Sequence, residues 1–191
     1  VKYAEYFKHV GLKENAGMKL YEIGPGWGPF SDYCRARGVD VTSVCPGEAQ
    51  YNYLKKSGHN VHRAVWQEFT PENGPFDAIV SMGSPEHFVS PKEYINGEQD
   101  KIYQNFFDYC HKLLKPGGRI GGQFMTFNGK ECDPLKLQVE KEGTDDETQK
   151  NIYKIYAIYT IYTLHIFNTY TCMPTYQIFQ SNTAFSDCCY S

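Results

Sequence analysis

Gly24, Gly26 and Gly28, in the stretch "YEIGPGWGPF", put backbone without Cβ atoms directly behind a short apolar run. Such backbone can turn sharply and lets a ligand come close to it. An ordinary turn between a strand and a helix would carry similar glycine content, so spacing has to separate the two readings. A dinucleotide fingerprint GxGxxG would need Gly at position 29, where Pro29 stands. It would also expect an acid at the end of the second strand, and that run ends on Val44-Cys45. Both departures argue against a nicotinamide cofactor. A second chemical candidate is "SMGSPEHF", where Glu86 stands beside His87. A carboxyl there could serve proton transfer, or it could simply open the next helix, where an acid suits the dipole. His87 reads as structural, and His9, His59, His62, His111 and His165 have no partner spacing. Cys34, Cys45, Cys110, Cys132, Cys172, Cys188 and Cys189 form no CxxC pair, and no Cys/His grouping has zinc spacing, so no metal site is expected. An odd number of unpatterned thiols fits a reducing, cytoplasmic compartment.

The elements that must hold these residues follow from the pattern between Lys2 and Phe127. An amphipathic start (Tyr3, Phe7, Val10) leads to the strand run "MKLYEIG", then a helical "FSDYCRARG" and a strand "DVTSVC". A helical "GEAQYNYLKKSG", strands "NVHRAVW" and "FDAIVSMG", a helical "GEQDKIYQNFFDYCHKLL", the turn "KPGG" and the strand "RIGGQFMTF" complete it. Short β-branched runs alternating with amphipathic helices predict a doubly wound α/β fold with a mostly parallel sheet covered on both faces. Ligands of such sheets sit at the carboxyl ends of the strands where strand order reverses, which is where the glycine stretch falls. The 191 residues suit one domain with a substantial core. A net charge of -3 leaves no polyanion footprint and argues against a nucleic-acid partner. "VKYAEYFKHVGLKENAG" has no apolar signal core and starts without Met, so upstream sequence is expected to be missing.

Composition breaks near residue 150. From Asn151 onward only Lys154 and Asp187 are charged, and Ile-Tyr recurs every three residues in "IYKIYAIYTIYT". A period of three suits neither a helix nor a half-buried strand. The segment reads either as β-prone or as translated repeat sequence never selected to fold. Lys154, His165 and Asn168 interrupt it, so the roughly 20 clean apolar residues of a membrane span are absent and any membrane contact is expected to be peripheral. The expected division is a ligand-binding domain at 1–130, a partial cap or linker at 131–150 and a low-complexity, disordered tail at 151–191.

The pattern E-x-G-x-G-x-G after a first strand resembles motif I of class I S-adenosylmethionine-dependent methyltransferases. "GMKLYEIGPGWGPFSDYCRARGVDVTSVCPGEAQYNYLK" further resembles the opening of the cyclopropane-fatty-acyl-phospholipid synthase family, which includes the mycolic acid methyltransferases. That family reads GMRVLDIGCGWG, then GVxVTGxTLSxEQxxYA. "WQEF", "FDAIVSMGSPEHF" and "LLKPGGR" match its later signatures in order, so the likeness covers roughly residues 3 to 127. It implies a Rossmann-like domain whose final strands are missing or atypical, and S-adenosyl-L-methionine as cofactor. Gly24, Gly26 and Gly28 would frame the amino-acid part of that cofactor, with Glu22 supporting its ammonium or the loop. Gln50 would reach the ribose, and Trp66 and Gln67 would flank the adenine, although Trp66 could equally be plain core. Met82 would line the site. Glu86 would help bind a bicarbonate ion acting as general base, which removes a proton after an alkene has taken up the methyl group.

Three departures from the family follow. Where its members read LLHTI after the KPGGR signature, with a bicarbonate-binding His, this chain has "GGQFM", so Gln123 stands in that place. Gln can donate a hydrogen bond but cannot carry a proton at neutral pH. The family's N-terminal helical segment would lie before Val1, and the Ile/Tyr tail does not match its acyl-binding cap. The resemblance therefore implies methyl transfer to an unsaturated acyl chain of a lipid. A small-molecule acceptor on the same scaffold, or a fragment that binds cofactor without turning over, is the alternative.

Overall fold

The computed structural model describes residues 2–126, 158–165 and 177–181. Helix α1 (Lys2–His9) places Glu5 in its first turn and Lys8 and His9 in its last, the arrangement that the helix dipole favours. It buries Tyr6 and Phe7, and Gly11 at φ 75 turns the chain toward strand β1 (Lys19–Ile23). Helix α2 (Pro29–Arg35) opens with proline in its first turn, where the missing N–H costs nothing. Strand β2 (Asp40–Cys45), helix α3 (Glu48–Lys56) and strand β3 (Asn60–Arg63) follow. Strand β4 (Phe76–Met82) leads through a short 3₁₀ turn (Pro85–His87) to helix α4 (Pro91–Ile95), which Ser90 and Glu93 open with a reciprocal capping box. Helix α5 (Gln99–Leu113) runs directly into strand β5 (Leu114–Thr126).

The strands hydrogen-bond in the order β3-β2-β1-β4-β5, all parallel. Two further strands, β6 (Ile158–His165) and β7 (Gln177–Ser181), continue the sheet antiparallel beyond β5. Chain order runs outward from β1 in one direction and from β4 in the other, so the reversal falls between them. Strands buried on both faces need apolar residues at nearly every position, and Leu20 to Ile23 and Ala78 to Ser81 are all buried. Alternate residues feed two cores. Leu20, Ala78 and Val80 pack with Tyr6, Phe7 and Phe30 under α1 and α2. Tyr21 and Ile79 pack with Trp66, Phe106 and Cys110 against α5.

The predicted turn "KPGG" is instead a bulge inside β5. The ladder pairs Phe76 with Leu114 and resumes at Ala78 with Arg119, leaving Lys115 to Gly118 looped out. The Lys115 ammonium donates to both Asp77 carboxylate oxygens, at 2.9 and 2.8 Å, and Gly117 takes φ 79. The predicted strand "NVHRAVW" stops at Arg63, because the chain turns into a 3₁₀ segment at Trp66–Glu68 to bury the indole. The cap or linker at 131–150, the first part of the Ile/Tyr repeat, and Cys132, Cys172, Cys188 and Cys189 lie outside the described residues.

Candidate functional site

At the carboxyl ends of β1 and β4 lies a cavity of about 490 Å³, within the range of small-molecule sites. From β1 and its following turn it takes Glu22, Gly24, Pro25 and Gly26; from the β2 side Cys45, Pro46 and Gln50; and from the β4 side Met82, Gly83, Ser84 and His87. Helices α1 and α2 close it with Lys2, Tyr3, Pro29 and Phe30.

The glycines divide the work of the turn. Gly24, at φ 74, donates its N–H to the Val44 carbonyl at 2.9 Å, and a Cβ there would overlap the side chain of Ser84. Its bareness lets two loops of the protein meet. Gly26, at φ 59, has nothing within 4 Å of where a Cβ would sit. That stretch of backbone faces the cavity and is free for a ligand. Gly28 caps α2 and is not part of the cavity wall; a Cβ on it would stand 2.5 Å from Leu54 Cδ2.

Glu22 lies buried at the end of β1, where it accepts a hydrogen bond from the Ser31 hydroxyl. Ser31 Oγ in turn lies 3.3 Å from Ser43 Oγ. Burial pushes the Glu22 carboxyl up to about 7, and nearby Asp32 adds to the rise while the Ser31 bond opposes it. The cavity therefore has at its base a carboxylate that any cation would help to ionise. Gln50 folds back over Gly47, with Oε1 2.5 Å from where a Cβ would sit.

Among the described residues, four other buried side-chain atoms are unmet. Both carboxylate oxygens of Glu86, the Gln123 Oε1 and the Trp66 Nε1 are buried without hydrogen-bond partners among the described residues. A buried carboxylate in that state is costly, and such exceptions in a native fold point to an ion, a water or a functional role. The Gly83 N–H donates to the backbone carbonyl of Gln123 at 3.0 Å. Glu86 Oε1 lies 3.8 Å from where a Cβ of Gly83 would be. Tyr103 donates to the Pro85 carbonyl at 3.1 Å, and its hydroxyl pKa is raised by burial and by the Glu86 charge.

Glu22, Gly24, Gly26, Gln50 and Met82, expected from sequence, thus share one cavity, while Glu86 and Gln123 do not line it and each adjoins its wall residue Gly83. Trp66 and Gln67 do not line it. Trp66 packs among Phe88, Phe106 and Tyr109 with ring centroids 5.2–5.5 Å away, and Gln67 is exposed. Sequence reasoning missed Lys2, Tyr3 and Ser84. The signal for α1 lay in its aromatic stripe, because Tyr3 packs on Phe30 at 5.9 Å and so brings the start of α1 to the glycine turn.

The family mycolic acid cyclopropane synthetase matches residues 1–133 of the 191. The chain belongs to this family. The matched span contains α1 through β5 and every residue of the cavity wall. Relatives include the ubiquinone biosynthesis O-methyltransferase of Pseudomonas syringae pv. tomato, 29% identical over 120 residues, covering 59% of this chain and 46% of that protein. The enzyme of the same name from Pseudomonas fluorescens is 32% identical over 129 residues, covering 63% and 48%. The chain spans about half the length of the curated relatives it matches. Among solved structures, the cyclopropane synthase MmaA2 from Mycobacterium tuberculosis superposes with a TM-score of 0.56 at 24% identity, covering 80% of this chain and 50% of that one. The cyclopropane synthase CmaA1 complexed with SAH and CTAB gives 0.56 at 24% identity, covering 80% and 49%. At these identities the likeness establishes the Rossmann-like methyltransferase fold.

No helix among the described residues is long and apolar enough to cross a membrane, and no group of three or more His, Cys, Asp or Glu is placed to hold a metal ion.

Proposed function

We propose that this chain carries the catalytic core of an S-adenosylmethionine-dependent methyltransferase of the cyclopropane synthase type, acting on unsaturated acyl chains of lipids. The observation that carries the reading is Gly26. Its backbone is bare toward a cavity that has a buried carboxylate at its base and lies where strand order reverses. The cofactor supplies an electrophilic methyl group on a positively charged sulfur. Glu22 holds the ammonium of the methionyl end, and its charge is recovered when that cation arrives. Gln50 offers an amide to the ribose hydroxyls. Met82 provides an apolar wall beside the reacting carbon.

Glu86 is the proton-handling group in this reading, either directly or by holding a bicarbonate. Its unpartnered carboxylate beside the cavity supports that role. Gln123 offers its amide to the bound base. On the β2 side Gln50 and Cys45 line the wall, and Trp66 and Gln67 lie outside it. Residues 1–130 form the cofactor-binding unit, and β6 and β7 extend its sheet beyond β5. Contact with a membrane is peripheral, and the setting is cytoplasmic.

A second reading rests on Gln123 itself. An amide replaces the histidine that the family uses to bind the bicarbonate base of ring closure and cannot carry a proton itself, whereas methylation of an amine, thiol or hydroxyl on a small molecule needs no bicarbonate, and Glu86 alone can take its proton. The relatives named ubiquinone biosynthesis O-methyltransferase favour this acceptor class. A chain that binds cofactor without turnover is the third outcome. Incubation with methyl-labelled S-adenosylmethionine and vesicles of unsaturated phospholipid separates them. Label in a cyclopropane or branched acyl chain supports the first reading. Label only in a small phenolic acceptor supports the second, and binding with no transfer supports the third.

A further inference from the structure

We infer that Lys2 is the carboxylate-binding side chain of this cavity, and that Lys2 and Glu22 together grip the two charges of an α-amino acid group. The inference rests on the S-adenosylmethionine reading and names the recognition device at one end of that site. Helix α1 is held firmly against the sheet. Tyr6 and Phe7 are buried, the Arg119 guanidinium donates to the His9 carbonyl at 3.0 Å, and the Tyr6 hydroxyl donates to the Gly122 carbonyl at 3.4 Å. The Tyr3 ring packs at a tilt, centroids 5.9 Å apart, against Phe30 in the first turn of α2, immediately after the glycine turn. The neighbouring residue, Lys2, therefore enters the cavity wall from the α1–α2 side, while Gln50 enters from the β2–α3 side.

Lys2 has no partner of its own. Its ammonium makes no ion pair or hydrogen bond among the described residues; several surface lysines, Lys8 and Lys13 among them, share that state, but Lys2 is the lysine that lines the cavity. Lys2 is exposed, and partial desolvation lowers its pKa from the usual lysine range. A cation without a counter-ion on the wall of an open cavity can take an anion held there. Glu22 is the one acidic residue of the cavity wall, and it does not pair with Lys2. The wall thus presents a lone cation and a lone buried carboxyl, with the bare Gly26 backbone nearby. A zwitterion complements this arrangement, its ammonium on Glu22 and its carboxylate on Lys2. His87 is the other wall residue that can carry positive charge, and it comes from the β4 side.

The test is calorimetry on the full chain with two sulfonium ligands that differ only in the carboxylate, S-adenosylmethionine and its decarboxylated form. Lys2→Met should weaken S-adenosylmethionine about tenfold, which corresponds to about 1.4 kcal/mol for a charge-assisted bond. It should leave the decarboxylated ligand unchanged. Lys2→Arg should restore most of the loss, and Lys8→Met, which removes an exposed cation of α1 outside the cavity wall, should affect neither ligand. An equal effect of Lys2→Met on both ligands, or none on either, overturns the inference, as does an equal loss in Lys8→Met. If the unaltered chain binds neither ligand, the cofactor reading itself fails. If it distinguishes the two ligands and Lys2→Met preserves the distinction, only the role of Lys2 fails.

Discussion

Glu22→Gln probes the base of the cavity in a measurement that needs no ligand. The Glu22 carboxyl is buried, and its pKa is pushed from the ordinary glutamate range up to about 7. Between the two values the folded chain keeps a proton that the unfolded chain has released. Stability from this group is therefore complete below the ordinary range, is lost as pH rises toward 7, and is constant above it. The rise from the ordinary glutamate range to about 7 corresponds to about 3 kcal/mol. Gln has a similar shape, can still meet Ser31, and does not titrate. Any packing cost of the exchange is constant with pH, so the difference between the two proteins isolates the carboxyl. Urea unfolding at intervals from pH 4.5 to 8 should show the variant gaining about 3 kcal/mol relative to the original chain, or on the order of 10 °C in melting temperature for a domain of this size. The same exchange should weaken S-adenosylhomocysteine at least tenfold, because the ammonium loses its counter-charge. A carboxylate that destabilises the fold and strengthens binding is one kept for function. Parallel pH profiles for the two proteins would refute the reasoning.

Gly26→Asp should leave a folded protein that no longer binds S-adenosylhomocysteine in calorimetry, since its side chain enters open cavity space at a strain cost of about 1–2 kcal/mol for φ 59. Gly24→Ala should instead destabilise the fold by about 1–3 kcal/mol, and Ser84→Gly should recover part of that in a double-mutant cycle, because Ser84 is what the new methyl meets. Glu86→Gln should keep cofactor affinity within about twofold while turnover falls about 100-fold or more in the label-transfer assay. Trp66→Ala should cost about 3–5 kcal/mol in urea unfolding, given its place among Phe88, Phe106 and Tyr109.

The sheet was legible because doubly covered strands leave a plain trace. "LYEI" and "DAIVS" are apolar on both faces apart from Glu22, Asp77 and Ser81, and each of these has a partner: Ser31, Lys115 and the Ile23 carbonyl. The strand boundaries around Lys115 and Arg63 were less legible. A bulge fixed by a Lys–Asp pair 38 residues apart, and a turn made to bury one indole, are tertiary choices that local propensity does not encode. At the site, the spacing of the glycines marked the turn but could not assign their tasks. Gly24 serves Ser84, 60 positions later in the chain, and only Gly26 is left for a ligand. Lys2 was invisible for the same reason: it reaches the cavity through the packing of Tyr3 on Phe30, not through any spacing in the sequence. Glu86 and Gln123 were found as motif positions, and the structure adds that their polar atoms are buried and unmet.

The central claim is that a sulfonium nucleoside occupies the cavity at the carboxyl end of β1. A crystal structure of the full chain grown with sinefungin tests it most directly. The account predicts the amino-acid end of the inhibitor against the Gly26 backbone and Glu22, with its ribose within hydrogen-bond reach of Gln50. An inhibitor bound elsewhere, or a cavity left empty at saturating concentration, would contradict it.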